Sequence, residues 1–307
     1  MASILYVDYD KRFSGAVHDF WAPLGHECIT VSHGALACES LREVGGDLAI
    51  VEVMMPDICG FEILRRIRAD RKLFTTPVML VSHMAAEEEI QHGLAQGADD
   101  YVFKPFDFEV LRTRAMPLLE SSATIMQPDP LTHLMNERLA KCMVEHHISA
   151  RRPFAVMCLE LMQMVEFCHK AGVEASKALL LRAADILKDC GKLLHDEYFR
   201  PAHMGGGHFM CIVRPEMVAE YCNSVLNAWR EQLPDFYASI GFVTKTTAMG
   251  RDAAGVNALV YYTVCTGQPR RSVHDCFQTL ITMRAHARWN GEGIYADHRS
   301  TMAVTSH

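Results

Sequence analysis

Short apolar runs alternate with amphipathic helical patterns along the first 122 residues of the chain. The apolar runs are SILYV, ECITVS, LAIVEV, PVMLVS and DYVFKPF, and each is followed by a segment with apolar residues at helical spacing. Five strand–helix pairs in this order predict an α/β domain in which five parallel strands carry helices on both faces. In such doubly wound sheets, functional side chains collect at the carboxyl ends of the strands.

Beyond residue 130 the pattern predicts an α+β domain. The predicted helices cover residues 136–150, 174–194, 216–233 and 257–267, and the predicted strands cover 154–162, 197–204, 208–214 and 236–244. Three consecutive glycines separate the second and third of these strands and predict a hairpin. The βαββαβ order indicates a domain of ferredoxin-like or cyclase-like form, with an antiparallel-containing sheet and helices on one face.

Length, composition and charge narrow the classes of protein to consider. The chain has 307 residues, of which 50% are hydrophobic, and a formal net charge of −7. We predict domains at 1–122 and 131–285, a linker at 123–130 and a C-terminal extension at 286–307. The negative charge disfavours nucleic acid binding, and no apolar run approaches the ~20 residues of a membrane span. Eleven cysteines without a CxxC pair, and no visible signal peptide, favour reduced thiols and a cytoplasmic location.

Polar side chains follow four of the five predicted strands of the first domain. Asp8 and Asp10 follow the first strand, Glu52 belongs to the third, Ser82 ends the fourth, and Lys104 comes with the fifth. Because the carboxyl ends of parallel strands meet at one edge, we expect these side chains to lie close together. Carboxylates bind Mg²⁺, whereas a lysine and a hydroxyl bind phosphoryl oxygens, so a site for a cation and a phosphoryl group is predicted here.

Four segments of the first domain carry a family pattern, namely ILYVDYD, DLAIVEVMMPDICGFE, PVMLVS and GADDYVFKPFD. With them residues 1–122 resemble a response-regulator receiver domain over their whole length. The resemblance implies a flavodoxin-like fold. It also implies that Asp8 is the first acid of a metal pocket and that Ser82 and Tyr101 are the switch hydroxyl and the switch aromatic. Lys104 would be the lysine that senses phosphate.

Two positions depart from the receiver pattern. Tyr9 stands where the second acid is expected, so Mg²⁺ should bind weakly. Glu52 stands at the phosphoacceptor aspartate and carries its carboxylate one methylene further, towards Lys104 and Ser82. Because phosphoryl transfer needs a nucleophile placed to about half an ångström, we expect that Glu52 is not phosphorylated. Two interpretations stay open: Glu52 mimics the phosphorylated state, or it only forms a static ion pair with Lys104.

Four landmarks lie between about residues 128 and 272, namely DPLTHLMN, MGGGHF, SIGFV and the glycine of TGQPRR. With them this segment resembles a GGDEF domain, the nucleotide-cyclase-like fold of diguanylate cyclases. The signature itself falls at Gly205, Gly206, Gly207, His208 and Phe209. Both acids of the signature are therefore absent, and the simplest interpretation of the glycines is a hairpin turn with positive φ angles.

The other positions that this resemblance assigns are also altered. Glu160 matches the first metal acid, Cys168 and Lys177 match two contacts to guanine, and Val264 matches a late basic residue. The inhibitory RxxD motif would fall at 196–199 and is missing. Without the signature acids, nothing neutralises the charge that develops on a phosphoryl group, so we expect no catalysis.

The leading hypothesis is a non-enzymatic signalling protein of the two-component and cyclic di-GMP type that acts through contacts with other signalling proteins. A homodimer through residues 100–119 is expected. We predict no cofactor beyond weakly bound Mg²⁺ at the receiver pocket, and His203 with His208 are too few ligands to predict a metal site. One alternative is a sensor that binds GTP or cyclic di-GMP without turnover. The least favoured is an active cyclase that uses Glu160.

Overall fold

The computed structural model divides the chain into two units. The described residues are 1–84, 87–195, 199–243, 255–266, 273–290 and 293–297. The first unit consists mainly of Met1–Met126 and Lys141–Arg151, and the second mainly of Gln127–Ala140 and the residues from Arg152 onwards. The domain boundaries drawn from the sequence stay a prediction.

Within the described residues, the first unit has a five-stranded parallel sheet with the strand order β2-β1-β3-β4-β5. Its strands are β1 (Ser3–Val7), β2 (Glu27–Val31), β3 (Leu48–Glu52), β4 (Val78–Ser82) and β5 (Asp100–Phe103). Its helices are α1 (Lys11–Trp21), α2 (Ala37–Val44), α3 (Gly60–Ala69), α4 (Glu87–Ala95), α5 (Phe108–Thr124) and the C-terminal part of α6 (Glu137–Ser149). The doubly wound, flavodoxin-like fold predicted from the sequence is confirmed.

Both faces of this sheet are covered, which explains the continuous apolar runs in the sequence. Successive residues of a strand point to opposite faces. Leu5 and Val7 of β1 pack with the buried residues of α2 and α3. Ile4 and Tyr6 pack with those of α1 and α5. The ends of the strands are thereby held at one edge of a rigid layer.

Arg68, near the end of α3, is a charged residue inside the first unit, with 1% of its side chain exposed. Its guanidinium donates hydrogen bonds to the backbone oxygens of Gly97 and Thr76. Its Nη2 lies 2.7 Å from Oδ2 of Asp99, and its Nε lies 3.3 Å from Oε2 of Glu145 in α6. This buried cation therefore connects α3 to the segments that immediately precede β4 and β5, and to α6.

The described part of the second unit has a five-stranded mixed sheet with the order β10-β9-β6-β8-β7. Its strands are β6 (Phe154–Leu161), β7 (Arg200–His203), β8 (His208–Val213), β9 (Ala258–Cys265) and β10 (Gly293–Ala296). Its helices are the start of α6, then α7 (Met164–Ala171), α8 (Val173–Lys192), α9 (Val218–Ser239) and α10 (Val273–Asn290). The elements from β6 to β9 follow the predicted βαββαβ order, whereas a specifically GGDEF-like fold stays a prediction.

Two predicted elements of this unit are wrong in type. Most of the segment 236–244, predicted as a strand, continues α9 to Ser239 or follows that helix, and residue 244 lies outside the described residues. It is helical because Phe236 extends the buried stripe that includes Trp229. The segment 257–267, predicted as a helix, contains β9, which suits its β-branched and aromatic residues. Residues 197–198 of the strand predicted at 197–204 lie outside the described residues.

The prediction that helices cover only one face of this sheet is also wrong. Helices α8 and α9 pack on the face of the sheet that carries Met157 and Leu159. Helix α10, which was not predicted, covers the opposite face, where Sγ of Cys276 lies 3.6 Å from Sγ of Cys265. The domain end predicted at residue 285 therefore falls inside α10.

None of the helices described here combines the length and the apolar character that a membrane span requires.

Candidate functional site

Three charged side chains meet at the carboxyl edge of the first sheet. Asp8 follows β1, Glu52 ends β3, and Lys104 is placed by a hydrogen bond from its backbone nitrogen to the oxygen of Ser82. Nζ of Lys104 lies 2.5 Å from Oδ2 of Asp8 and 2.6 Å from Oε2 of Glu52. It also lies 4.7 Å from the centre of the Phe13 ring. All three charged side chains are buried, so they form one compact ionic cluster.

The remaining carboxylate oxygens of this cluster also accept hydrogen bonds. Oε1 of Glu52 accepts from the backbone nitrogen of Met54 at 2.8 Å. Asp8 accepts from the backbone nitrogen of Asp10 at 2.9 Å and from the hydroxyl of Tyr6 at 3.0 Å. Burial, reinforced by the charge of Asp8, raises the pKa of Tyr6 far above its ordinary value, so this hydroxyl stays a donor. The two carboxylates are therefore fixed in orientation.

The other residues predicted for this pocket make contacts outside the cluster of Asp8, Glu52 and Lys104. The side chain of Asp10 caps α1 by accepting from backbone nitrogens of its first turn. Tyr9 is 52% exposed and adds no carboxylate. The hydroxyl of Ser82 accepts from the backbone nitrogen of Met84, and the hydroxyl of Tyr101 donates to the backbone oxygen of the same residue. Asp8, Glu52 and Lys104 thus come together, while Ser82 and Tyr101 are linked through Met84.

Gly60 positions Glu52, although the sequence analysis gave it no role. A Cβ atom at Gly60 would lie 2.5 Å from the backbone oxygen of Glu52 and 2.8 Å from Cα of Val53. The nitrogen of Gly60 donates to the oxygen of Val53 at 2.8 Å. Only glycine permits this approach, which packs the start of α3 against the end of β3.

In the second unit, Glu160 lies in β6 directly opposite His208 in β8 and is 2% exposed. Arg284 of α10 donates from Nε to Oε2 at 2.9 Å and from Nη2 to Oε1 at 3.0 Å. Arg288, one helical turn later, donates to Oε1 from Nε at 3.1 Å and also from Nη2. Nη2 of Arg284 is 3.2 Å from Nε2 of His208. One buried carboxylate is thus held by two guanidinium groups.

The charges of this cluster follow from its contacts. Burial alone would raise the pKa of Glu160, but the hydrogen bonds from Arg284 and Arg288 outweigh it and lower the pKa below the ordinary 4.5. Burial lowers the pKa of His208, and this effect exceeds the opposite influence of Glu160. At neutral pH the cluster therefore contains an ionised carboxylate, two guanidinium groups and a neutral imidazole.

Replacing Glu160 with Gln should flatten the dependence of stability on pH in the acidic range. Because the pKa of Glu160 is lower in the folded state, its ionisation stabilises the protein fully above 4.5, and this contribution is lost as the pH falls through the folded-state pKa. The difference in melting temperature between the wild type and Glu160→Gln should be largest near pH 7 and shrink below pH 4.5. An equal difference at every pH would contradict this assignment.

The glycine-rich signature forms the predicted turn. Gly205 and Gly206 have φ angles of +89° and +55°, which favour glycine. A Cβ atom at Gly207 would lie 2.8 Å from the oxygen of Leu161, so this residue is tightly packed. Phe209 is buried in the core on the side of α8 and α9.

His203 and His208 do not form a shared metal site. The ring of His203 stacks on Phe209 at 4.9 Å, and its Nε2 lies 2.9 Å from the oxygen of Gly206. His208 faces Glu160 on the opposite side of the sheet, because neighbouring strand residues alternate. In the part of the chain that the structure describes, no group of three potential ligands is placed to hold a metal ion.

Three further predicted positions lie on elements other than those that carry Glu160, His208 and the two arginines. Lys177 is exposed on α8 and pairs with Glu174 at 2.8 Å, and Cys168 lies in the short helix α7. Val264 is buried in β9 against the core, so it cannot stand in for a basic residue at this site. The basic groups come instead from α10, which the sequence analysis missed. Residues 196–198 of the predicted motif position lie outside the described residues.

Comparison with known proteins finds a family match for residues 4–116. Residues 4–116 match the family model of the response regulator receiver domain. The chain is 36% identical over 117 residues to the transcriptional regulatory protein GltR of Pseudomonas aeruginosa, covering 38% of this chain and 48% of that protein. It is 35% identical over 119 residues to the transcriptional regulatory protein AfsQ1 of Streptomyces coelicolor, covering 39% and 52%.

Solved structures of receiver and chemotaxis proteins are also similar to part of the chain. A Francisella response regulator receiver domain shares 25% identity with a TM-score of 0.38, covering 40% of this chain and 99% of that one. The chemotaxis protein CheY4 of Vibrio cholerae shares 28% identity with a TM-score of 0.37, covering 38% and 98%. The chain spans about half the length of the curated relatives named above. The match to the family model assigns residues 4–116 to the response regulator receiver domain.

Proposed function

We propose that this chain is a signalling protein that works through contacts with other proteins, without phosphorylation and without turning over a nucleotide. The observation that carries the proposal is the ammonium group of Lys104, which lies between Asp8 and Glu52 within hydrogen-bonding distance of both. In this arrangement the cation of the pocket is part of the chain itself.

The same geometry disfavours phosphoryl transfer at Glu52. Mg²⁺ requires several oxygen ligands in near-octahedral geometry. Tyr9 supplies no carboxylate, and the carboxylates of Asp8 and Glu52 already accept hydrogen bonds from Lys104 and the backbone. A nucleophile held in this way is neither free to attack nor aligned by a metal.

Both interpretations of Glu52 predict an output that does not depend on a phosphate donor. The 2.6 Å contact from Glu52 to Lys104 is the ion pair that the static interpretation requires. The same contact is what a carboxylate that mimics a phosphoryl oxygen would make. The choice between them concerns which conformation is held.

For the second unit we propose a degenerate GGDEF domain without catalytic activity, in a pathway of the cyclic di-GMP type. The proposal rests on the motif resemblance of residues 128–272 and on Glu160, whose oxygens are taken by Arg284 and Arg288. We do not extend it to nucleotide sensing, because Lys177 pairs with Glu174 at the surface of α8.

We further propose that the receiver domain forms a homodimer through residues 100–119. Phe103 and Val110 expose about half of their surface on this segment, and Arg114 forms a bidentate ion pair with Asp100 there. A cytoplasmic location is part of the same proposal. The relatives are named as transcriptional regulators, but the match covers only about half of each of them, so the lack of nucleic acid binding stays a prediction.

Treatment with acetyl phosphate and Mg²⁺ should leave the wild-type chain unmodified. We expect its intact mass to match that of an untreated sample, because the pocket lacks both the second acid and the acceptor aspartate. The double variant Tyr9→Asp, Glu52→Asp should gain one phosphoryl group, since it restores both. Tyr9→Asp alone is the matched control and should stay unmodified. A phosphoryl group on Glu52 of the wild type would refute the proposal.

A further inference from the structure

Glu160, which the resemblance places at the first metal acid, lies among residues that are poor ligands for a divalent metal ion. Mg²⁺ and Mn²⁺ take about six ligands, mostly oxygen, in octahedral geometry. The residues paired with Glu160 across the sheet are His208 in β8 and Leu259 in β9, and neither supplies a carboxylate. Both oxygens of Glu160 accept hydrogen bonds from guanidinium groups. These residues do not fit a resident metal ion.

We infer that α10 acts as an internal cationic clamp, in which Arg284 and Arg288 together take the place of a divalent metal ion on Glu160. This inference deepens the proposed function of the second unit, because it gives the reason that the site carries no metal-dependent activity. It also assigns a role to α10 that neither the receiver match nor the glycine-rich signature provides.

Helix geometry brings both cations to one carboxylate. Residues four apart lie on the same face of a helix, so Arg284 and Arg288 point to the same side of α10. The Glu160 carboxylate faces them from β6 and accepts hydrogen bonds from both residues. Two guanidinium charges within hydrogen-bonding distance would repel a third cation that approached the same oxygens.

Apolar packing, as well as the ion pairs, holds α10 in its position. Cys276, Leu280 and Ala287 of this helix are buried, and Cys276 contacts Cys265 at the end of β9. A helix packed along the sheet in this way holds its arginines over Glu160 without needing a ligand. The clamp is therefore a property of the folded unit.

Binding of Mn²⁺ to the full chain, followed by electron paramagnetic resonance, tests this inference. The wild type and Glu160→Gln should bind Mn²⁺ identically, because Glu160 is closed to metal in the wild type. The variant Arg284→Met, Arg288→Met should gain one weak Mn²⁺ site, held by the freed Glu160 carboxylate, the His208 imidazole and water, and adding Glu160→Gln to it should remove that site. The last comparison also separates Glu160 from metal bound weakly at the receiver pocket.

Two outcomes would overturn the inference. The first is Mn²⁺ binding by the wild type that Glu160→Gln abolishes. The second is a folded double arginine variant that gains no site. If that variant does not fold, the comparison of the wild type with Glu160→Gln still decides whether the site is closed. The acetyl phosphate experiment concerns a different unit, so either proposal can fail without the other.

Discussion

Lys104→Met should lower the free energy of unfolding of the receiver domain by about 3–5 kcal/mol, the usual cost of removing one partner from a buried ion pair. The substitution keeps a long apolar side chain but removes the ammonium group that lies 2.5 Å from Asp8 and 2.6 Å from Glu52. Two buried carboxylates would then face each other without a cation. Urea titration combined with hydrogen-exchange mass spectrometry measures this effect for residues 1–122 separately from the second unit.

Two further variants test the cause of that loss. Lys104→Met combined with Glu52→Gln should recover part of the stability, because one of the two unpaired charges is gone. Lys170→Met is the matched control, since Lys170 forms an exposed pair with Glu166 and its loss should change little. Equal effects of Lys104→Met and Lys170→Met would mean that the buried ion pair contributes nothing.

Arg68→Met should have an effect of similar size, about 3–5 kcal/mol, for the same physical reason. It leaves the Asp99 carboxylate without its buried guanidinium and takes hydrogen-bond donors from the backbone oxygens of Gly97 and Thr76. Because Arg68 also pairs with Glu145, amide exchange in residues 141–149 should accelerate together with that of α3.

Arg66 supplies the control on the same helix. It is partly exposed and pairs with Glu62 one turn earlier, so Arg66→Met should cost less than about 1 kcal/mol. Unchanged exchange in residues 141–149 after Arg68→Met, with α3 destabilised, would show that α6 does not depend on this contact. Equal losses for the two arginine variants would show that burial of Arg68 is not decisive.

The receiver half was predictable because one rule governs it. Strands buried on both faces are continuous apolar runs, and parallel strands bring their carboxyl ends to one edge. Asp8, Glu52 and Lys104 meet there despite lying far apart in the sequence. Asp10 was grouped with them although it immediately precedes a helix, a position where aspartate commonly serves as a cap.

The second half was less predictable because short apolar segments suit both a strand and a helix. The final strand was predicted at 236–244 and lies at Ala258–Cys265. Pro234 favoured ending the preceding helix too early, yet α9 continues past it to Ser239. The resemblance matched Val264 to a late basic residue, and that position lies in β9, buried in the core. The cations that contact Glu160 are Arg284 and Arg288 of α10, which lie 124 and 128 residues after it in the sequence. Because this helix is largely exposed, hydrophobic periodicity did not predict it.

The strand β10 determines where the chain can be shortened safely. It forms one edge of the second sheet and pairs with Leu259–Tyr262 of β9. A chain cut at residue 290 would uncover the edge of β9, an eight-residue strand rich in valine and tyrosine. Such an edge recruits strands from other molecules. The opposite strand, β7, has four residues, and Met135 already bonds its outer edge through the Pro201 oxygen and the His203 nitrogen. We therefore expect loss of β10 to promote aggregation, even where the contacts of Glu160 remain intact.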